Sequence, residues 1–385
     1  MKTGGNVYDF AVMGLGGIGS AAFYAAAKTG VRVLGLERFD PAHSFGSSHG
    51  VTRIIRTAYY EHPNYVPLAQ ASIEAWRALE DFTGMQLMRL NGLLQVGPVG
   101  GSVIKGLQAS IEEHQLAVEM MDGSEAARRY PKIGFRSDEI CIMELTAGYL
   151  LVEDCVQSHL TAGTMCGGQA EFNTQVHNWH CQPDGTIEIQ TSKGNFITKN
   201  LIVTGGPWSP AILTDLNLNL RVVRKPQIWY EVPENIKGEM SLLPCFLFED
   251  DDNCFYGFPR LEGVGMKVAE HSGGQDITEP DTLDRTLRQT DTERIEAFLR
   301  FRFPNINFDL VRSSVCMYTM SPDKHFIVDR HPHHQNIAIG AGFSGHGFKF
   351  APVIGEQLVR LCDGNEFSSM DFLKLSTRFN SVNSQ

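Results

Sequence analysis

Gly14, Gly16 and Gly19 stand in the order G-x-G-x-x-G within GLGGIG, a spacing with a definite physical use. There the backbone must turn sharply, come close to a pyrophosphate, and let a helix pack on the preceding strand with its first N–H groups facing the anion. Residues without a Cβ suit all three demands. Glu37 follows 18 residues after Gly19, at the end of the next apolar run. A carboxylate there accepts hydrogen bonds from ribose hydroxyls and disfavours a 2′-phosphate. Other reactive types recur in company. His49 and Arg53 are four apart with Arg56 beyond, Lys267 stands four before His271, and Lys349 closes the glycine-rich run GAGFSGHGFK after Gly345, His346 and Gly347. Buried cations bind carboxylates or steady developing negative charge. Cys316 lies two places before Tyr318 in a strand-like run, so the two share a face. By itself it is either a small buried hydrophobe or a reacting group.

The elements that carry these residues follow from period and punctuation. Residues 7–13, VYDFAVM, form an apolar run expected to be a buried strand, and SAAFYAAAKTG, 20–30, an Ala-rich helix stopped by Gly30. With VRVLGLE as a second strand this is a β-α-β unit, the context that gives the glycines their meaning. Apolar residues at helical spacing run from Tyr65 to Thr83, and further helices are expected near 101–116, 151–164 and 281–301. RLNGLLQVG, RVVRKPQIWYEVP, CFYGFP and GMKVAEH suggest a mostly antiparallel sheet in a separate layer. Turn signals at Pro183-Asp184-Gly185 and Ser192-Lys193-Gly194 divide 170–209 into a β-meander leading into NLIVTGG. Near the end, NIAIGAGFSGHGFKFAPVIGEQLVRL reads as strand, glycine-rich turn and helix, returning to the first domain.

The expected class is therefore α/β: a Rossmann-type dinucleotide-binding domain with a β-meander crossover, beside an α+β domain built on a mostly antiparallel sheet. The first would comprise 1–85, about 150–220 and 312–385, the second about 86–149 and 221–311. The crossover followed by TGGPWS, and the late GAGFSGHG before a helix, favour FAD over NAD as the dinucleotide.

Charge and cysteine usage narrow the partners. Lys plus Arg total 33 against 44 Asp plus Glu, a net charge of −11, which disfavours nucleic acid and anionic membranes and leaves small molecules. The eight cysteines contain no C-x-x-C pair and no zinc spacing, and His331, His333 and His334 look like a solvated loop, so no metal is expected. No apolar run reaches the roughly 18 residues of a membrane helix. The start passes into a strand without a signal region, and the final NSQ is not a peroxisomal address, so a cytoplasmic setting is expected, with a tail over the last dozen residues.

The chain resembles the monomeric sarcosine oxidase and N-methyltryptophan oxidase family of flavoenzymes, which includes pipecolate-oxidising members. GLGGIGS, GSSHGVTRIIRTAY, YGFP, GMKVAEHSGGQ, CMYTMSPDKHFIVDRHP and GAGFSGHGFKF carry the likeness in order along nearly the whole chain. It implies that FAD is held covalently as an 8α-S-cysteinyl thioether on Cys316. Arg38, Ser47, Thr52, Val176, Gly205, Gly345, His346, Gly347 and Lys349 would join Gly14, Gly16, Gly19 and Glu37 around the cofactor. Arg56 and Lys349 would hold the substrate carboxylate, Tyr256, Tyr318 and Leu247 would line the amine's pocket, and His271 would face the substrate. Arg53 and His49 would face the flavin with positive charge, and Lys267 would activate O2. Strand alternation turns Lys267 and His271 to one face and Met317 into the packing behind Cys316 and Tyr318.

The implied reaction oxidises a secondary-amine amino acid (sarcosine or another N-methyl amino acid, or a pipecolate- or proline-like cyclic amine) to an imine that hydrolyses, with O2 reduced to H2O2, in a monomer. CMYTMSPD is nearer the sarcosine and pipecolate members than the tryptophan ones. One departure stands out: Val51 occupies a place where an acidic or other polar residue often precedes the Thr-Arg pair. Three rivals remain: an FAD-dependent amino-acid dehydrogenase with another acceptor, a noncatalytic flavin-binding module, and, more distantly, a nicotinamide dehydrogenase.

Overall fold

The computed structural model describes residues 7–251 and 253–378. Three sheets organise it. The first has eight strands and a parallel centre, where Gln169–Glu171, Val33–Leu36, Tyr8–Met13, Gly194–Val203 and His334–Ala341 lie side by side. Central parallel strands are covered on both faces, which is why VLGL is apolar throughout and wholly buried. Gly194–Val203 changes partner along its length. Residues 194–198 pair antiparallel with Ile187–Thr191 in the meander, and 201–203 pair parallel with 337–339.

The helix after the first strand spans Gly17–Ala27, three residues ahead of its expected start, and nine of its eleven residues are buried. It lies between the helices Val152–Met165 and Ala351–Asp363. Small residues permit this: a Cβ on Gly355 would sit 2.6 Å from the Ala21 carbonyl carbon, and one on Gly163 2.5 Å from the Phe23 ring.

The second sheet has nine strands, antiparallel except where Cys245–Asp250 runs parallel to Leu93–Pro98. Pro226 sits in Arg221–Glu231 between the residues paired to Met266–Glu270 and those paired to Gln275–Ile277, where that edge has no strand partner. Phe246, Phe248, Phe255, Phe298 and Phe303 fill its core, each buried ring contributing on the order of 2 kcal/mol. Asp309–Met320 pairs with Arg221–Glu231 along its length, so the boundary expected at 312 falls inside a strand of this sheet. A third sheet of Thr52–Ile55, Gly148–Leu151 and Met88–Arg89 carries Arg53.

The helix Tyr65–Thr83 has the expected bounds, and Ser102–His114 and Val152–Met165 lie within a residue or two of theirs. Gln289–Arg302 starts eight residues later than expected. The preceding segment is tied down instead: Arg38 Nη1 donates to both carboxylate oxygens of Asp281, and Arg285 donates to the carbonyls of Ser44, Phe45 and Val315. The helix begins where the Asp291 carboxylate accepts from Arg288 N at 2.9 Å. Of the expected tail, residues 375–378 form a helical turn and 379–385 lie outside the described residues. No helix among the described residues is long and apolar enough to cross a membrane.

Candidate active site

A cavity of about 600 Å³ opens at the C-terminal ends of the parallel strands, the usual ligand position in such sheets. The three fingerprint glycines on its wall divide by role. A Cβ on Gly14, whose φ is 85°, would lie 2.5 Å from Thr204 O, and one on Gly19 would lie 1.7 Å from Gly14 O, so both are demanded by the fold. A Cβ on Gly16 would meet nothing closer than Ser48 Oγ at 3.9 Å, so its side is left open for something other than protein. Glu37 is buried; it accepts Leu15 N at 2.7 Å and Phe39 N at 3.1 Å, shaping the glycine turn while its remaining lone pairs stay available to a ribose. Arg38 stands at the mouth, its guanidinium 5.1 Å from the Phe39 ring. Ser47, Val176 and Gly205 line the same cavity, as do Gly345 and Gly347 at its inner end. Among the described residues Thr319 Oγ1, in a wall residue, is buried without a hydrogen-bond partner, and so is Thr52 Oγ1, whose residue is not on the wall. An open glycine cradle, a ribose-side carboxylate and an orphaned hydroxyl fit a dinucleotide such as FAD.

Arg53, Tyr318, Gly345 and Phe348 belong also to a second, smaller cavity of about 50 Å³, so the two adjoin across these residues. The smaller one collects Arg56, Lys349, Leu247, Tyr256, His271 and His346, and with them Tyr60 and Glu61, which the motifs had not marked. Arg56 is buried; its Nη2 donates to both carboxylate oxygens of Glu61 at 2.6 and 2.7 Å, and its Nη1 to Gln95 Oε1 at 3.1 Å. It is therefore already paired with a carboxylate.

Lys349 Nζ donates to His346 O at 2.8 Å and Tyr59 Oη at 3.4 Å, leaving one of its three N–H donors without a partner among the described residues. Burial, with Arg56 beside it, lowers its pKa to about 7. His346 is fixed at both nitrogens, Nε2 lying 3.1 Å from Lys324 O and Nδ1 2.6 Å from Tyr59 Oη. A carbonyl can only accept, so the network assigns the proton to Nε2, and Nδ1 accepts from the phenol. The His271 ring packs 5.7 Å from Tyr318 and 6.4 Å from Tyr256, and burial lowers its pKa to about 3, so it is neutral.

Four expected residues stand behind these walls. Lys267 is fully enclosed; its ammonium donates to Gly50 O at 2.8 Å and Thr52 O at 2.7 Å, and lies 4.9 Å from the Phe258 ring centre. Burial, then the charge of Arg53, holds its pKa well below the usual lysine value, while Cys316 and Glu153 oppose this. His49 is not a cation: burial first, then Arg53, Arg285 and Lys267, lower its pKa to about 3, so the positive charge expected of that pair is Arg53's alone. Thr52 starts the small sheet.

Cys316 is buried, its Sγ 3.3 Å from Ser47 O and 3.5 Å from Arg53 Nη2, one side-chain layer behind those two wall residues. Met317, expected in the packing behind, lines the large cavity beside Tyr318 and Thr319. Among the described residues Asp309–Met320 has one strand partner, Arg221–Glu231, and on its other edge only a bridge between Met320 and Phe343, and residues of both alternations, Met317, Tyr318 and Thr319, line the cavity. His331 is likewise not solvated; it is buried and bound to Asp215 Oδ2 at 2.8 Å.

Residues 9–361 match the family model for FAD dependent oxidoreductases. The chain belongs to that family. This FAD-dependent oxidoreductase is 38% identical over 360 residues to a monomeric sarcosine oxidase of Bacillus sp. (strain B-0618), with 92% of each chain covered. It is 32% identical over 352 residues to an N-methyl-L-tryptophan oxidase of Salmonella dublin, covering 91% of this chain and 93% of that one. Among solved structures, NikD, an unusual amino acid oxidase essential for nikkomycin biosynthesis, superposes with a TM-score of 0.82 at 21% identity, covering 96% and 97%. That last likeness concerns the fold, and the α/β class expected from the sequence is the one found.

Glu61, Tyr60 and Glu153 carry part of the site's architecture without any motif announcing them, and Tyr59, the last residue of GSSHGVTRIIRTAY, does so without having been singled out. Glu61 had a faint signal, an acid five residues after an arginine in an otherwise uncharged run. Glu153, in the first turn of Val152–Met165, looks in sequence like an ordinary helix-start acid.

Proposed function

We propose that the protein oxidises the carbon–nitrogen bond of a small secondary-amine amino acid, of the sarcosine or pipecolate kind, to an imine, and passes the two electrons and two protons to O2 as H2O2. Water then hydrolyses the imine, giving formaldehyde when the oxidised group is N-methyl. The observation that carries this reading is the small cavity, where a buried cation with a free donor, Lys349, faces Tyr256, Tyr318 and His271 directly beside the dinucleotide cavity. FAD, when bound, supplies the two-electron acceptor. Gly14, Gly16, Gly19, Glu37, Ser47 and Gly205 hold it in this reading, with a thioether to Cys316.

The chain's own groups do the rest. Lys349, with Arg56 behind Glu61, binds the substrate carboxylate. Tyr256 and Tyr318, whose phenol pKa values burial raises, stay neutral and offer hydroxyls and ring faces to the amine. Neutral His271 closes the pocket without repelling an ammonium, and a cavity this small excludes bulk water from the imine as it forms. In this reading Lys267, behind the wall, and Arg53, where the two cavities adjoin, steady the negative charge that O2 takes up as it gains electrons.

We further propose a monomer in the cytoplasm. Relatives described as monomeric support the first, and eight free cysteines support the second. The two-domain division proposed is 1–85, about 150–220 and 312–385 for FAD, and about 86–149 and 221–311 for substrate, the strand Asp309–Met320 joining them. The test is acid denaturation of the purified yellow protein together with a peroxide assay on sarcosine, pipecolate, proline and N-methyltryptophan. Colour that stays with the polypeptide and peroxide from a small secondary amine are expected. Colour in the supernatant would remove the Cys316 link, and oxidation only with an added quinone would make the protein a dehydrogenase.

A further inference from the structure

Between His49 and Arg53 the backbone takes a conformation that its residues do not favour. Thr52 N donates to Gly50 O at 2.8 Å across a three-residue turn whose apex, Val51, has φ 67°. A β-branched residue in the left-handed region of so tight a turn is strained and persists only where its surroundings hold it. Gly50, at φ 95°, has no alternative, since a Cβ there would lie 2.0 Å from Gln227 Oε1.

What holds the turn is Glu153, from the first turn of the helix Val152–Met165. Its carboxylate accepts Gly50 N at 2.7 Å through Oε1 and Val51 N at 3.1 Å through Oε2, while Val152 N donates to Val51 O at 2.8 Å. On the opposite side of the same peptides, Lys267 Nζ donates to Gly50 O and Thr52 O. The peptide joining residues 50 and 51 thus has its N–H on the carboxylate and its C=O on the ammonium. Such an amide is polarised from both ends, and each charge strengthens the other's hydrogen bond. Among the described residues Glu153 forms no ion pair, and Lys267 has no carboxylate in contact. Val51 brings no polar atom of its own.

We propose that Glu153 is a positioning residue for Lys267: its carboxylate fixes the Gly50–Thr52 turn and, through the 50–51 peptide, holds the lysine ammonium in place on the flavin side of the site. This rests on the reading of Lys267 as the oxygen-side cation. Removing the carboxylate frees two backbone N–H groups, lets Val51 relax out of the left-handed region, and takes Gly50 O away from Lys267. The amine pocket shares no residue with this turn, so binding and oxidation of the amine stay as they were.

The test uses the full-length holoenzyme with Glu153→Gln, Glu153→Asp and Lys267→Gln. Reduction by sarcosine without O2 and the oxygen half-reaction are timed separately by rapid mixing, with Tm for each variant and a crystal structure of E153Q. Expected for E153Q are an oxygen half-reaction slowed at least about tenfold, the scale of losing one stabilising donor or more, an unchanged amine half-reaction, and a Lys267 Nζ displaced from one or both carbonyls. E153D, which keeps the charge, recovers part of the loss. Equal slowing of both half-reactions, or an E153Q crystal structure with the turn and Lys267 unmoved, would overturn the proposal. If K267Q leaves the oxygen half-reaction unchanged, the reading of Lys267 falls, while the hold of Glu153 on the turn is judged separately by the lysine's position in E153Q.

Discussion

Replacing Lys349 with Met keeps the stem and removes a cation of the small cavity that has a donor to spare among the described residues. Arg56 is paired to Glu61 through Nη2, and Arg53 is bound to the carbonyls of Ser47 and Thr52, so neither replaces it freely. A hydrogen bond to a charged group is worth roughly 1.5–3 kcal/mol, which is a loss of about 10- to 150-fold in carboxylate affinity. The probe is propionate, a carboxylate without an amine, titrated against the visible spectrum of the holoenzyme. A pH series adds an independent mark. The Lys349 pKa is lowered to about 7, so the cation is present below that pH and is lost as pH rises through it. Propionate binding to the wild type should weaken about tenfold per pH unit above the transition. Among the other groups lining the cavity, burial lowers the pKa of His271 to about 3 and holds that of His346 well below its usual value, while it raises those of Tyr60, Tyr256 and Tyr318. K349M should bind weakly at every pH, without the slope. Wild-type affinity in K349M, or a slope that survives the substitution, would refute Lys349 as the anchor.

Tyr60, with Leu247 and Tyr256, limits the small cavity, so Tyr60→Gly should raise kcat/KM for N-methyl amino acids with large side chains relative to sarcosine, measured as a ratio. Gly16→Val should leave the apoprotein's Tm unchanged and block flavin incorporation, whereas Gly19→Ala should fail to fold, because its Cβ would lie 1.7 Å from a carbonyl oxygen. Absorbance per polypeptide and circular dichroism separate these outcomes. Cys316→Ser should release its flavin on acid precipitation.

Legibility in the sequence differed by kind of feature. The helix Tyr65–Thr83 and the β-α-β unit were readable because period and glycine spacing are local. The later start of Gln289–Arg302 was not, because the clasp of Asp281 and Arg285 on residues distant in sequence decides it. Site residues inside motifs could be named, but their depth could not. Lys267, His49 and Cys316 stand behind the walls, a matter of packing between three sheets. Glu153 was invisible and Glu61 only faintly marked, because a carboxylate on a backbone turn or against an arginine resembles any surface acid until its partners are known.

The most direct measurement is a single anaerobic turnover. Sarcosine added to the holoenzyme without O2 should bleach the flavin absorption, and admitting air should restore it with one H2O2 released per flavin. Absorption that no small secondary amine bleaches, or that returns only when a quinone is supplied, would contradict the assignment of a secondary-amine oxidase.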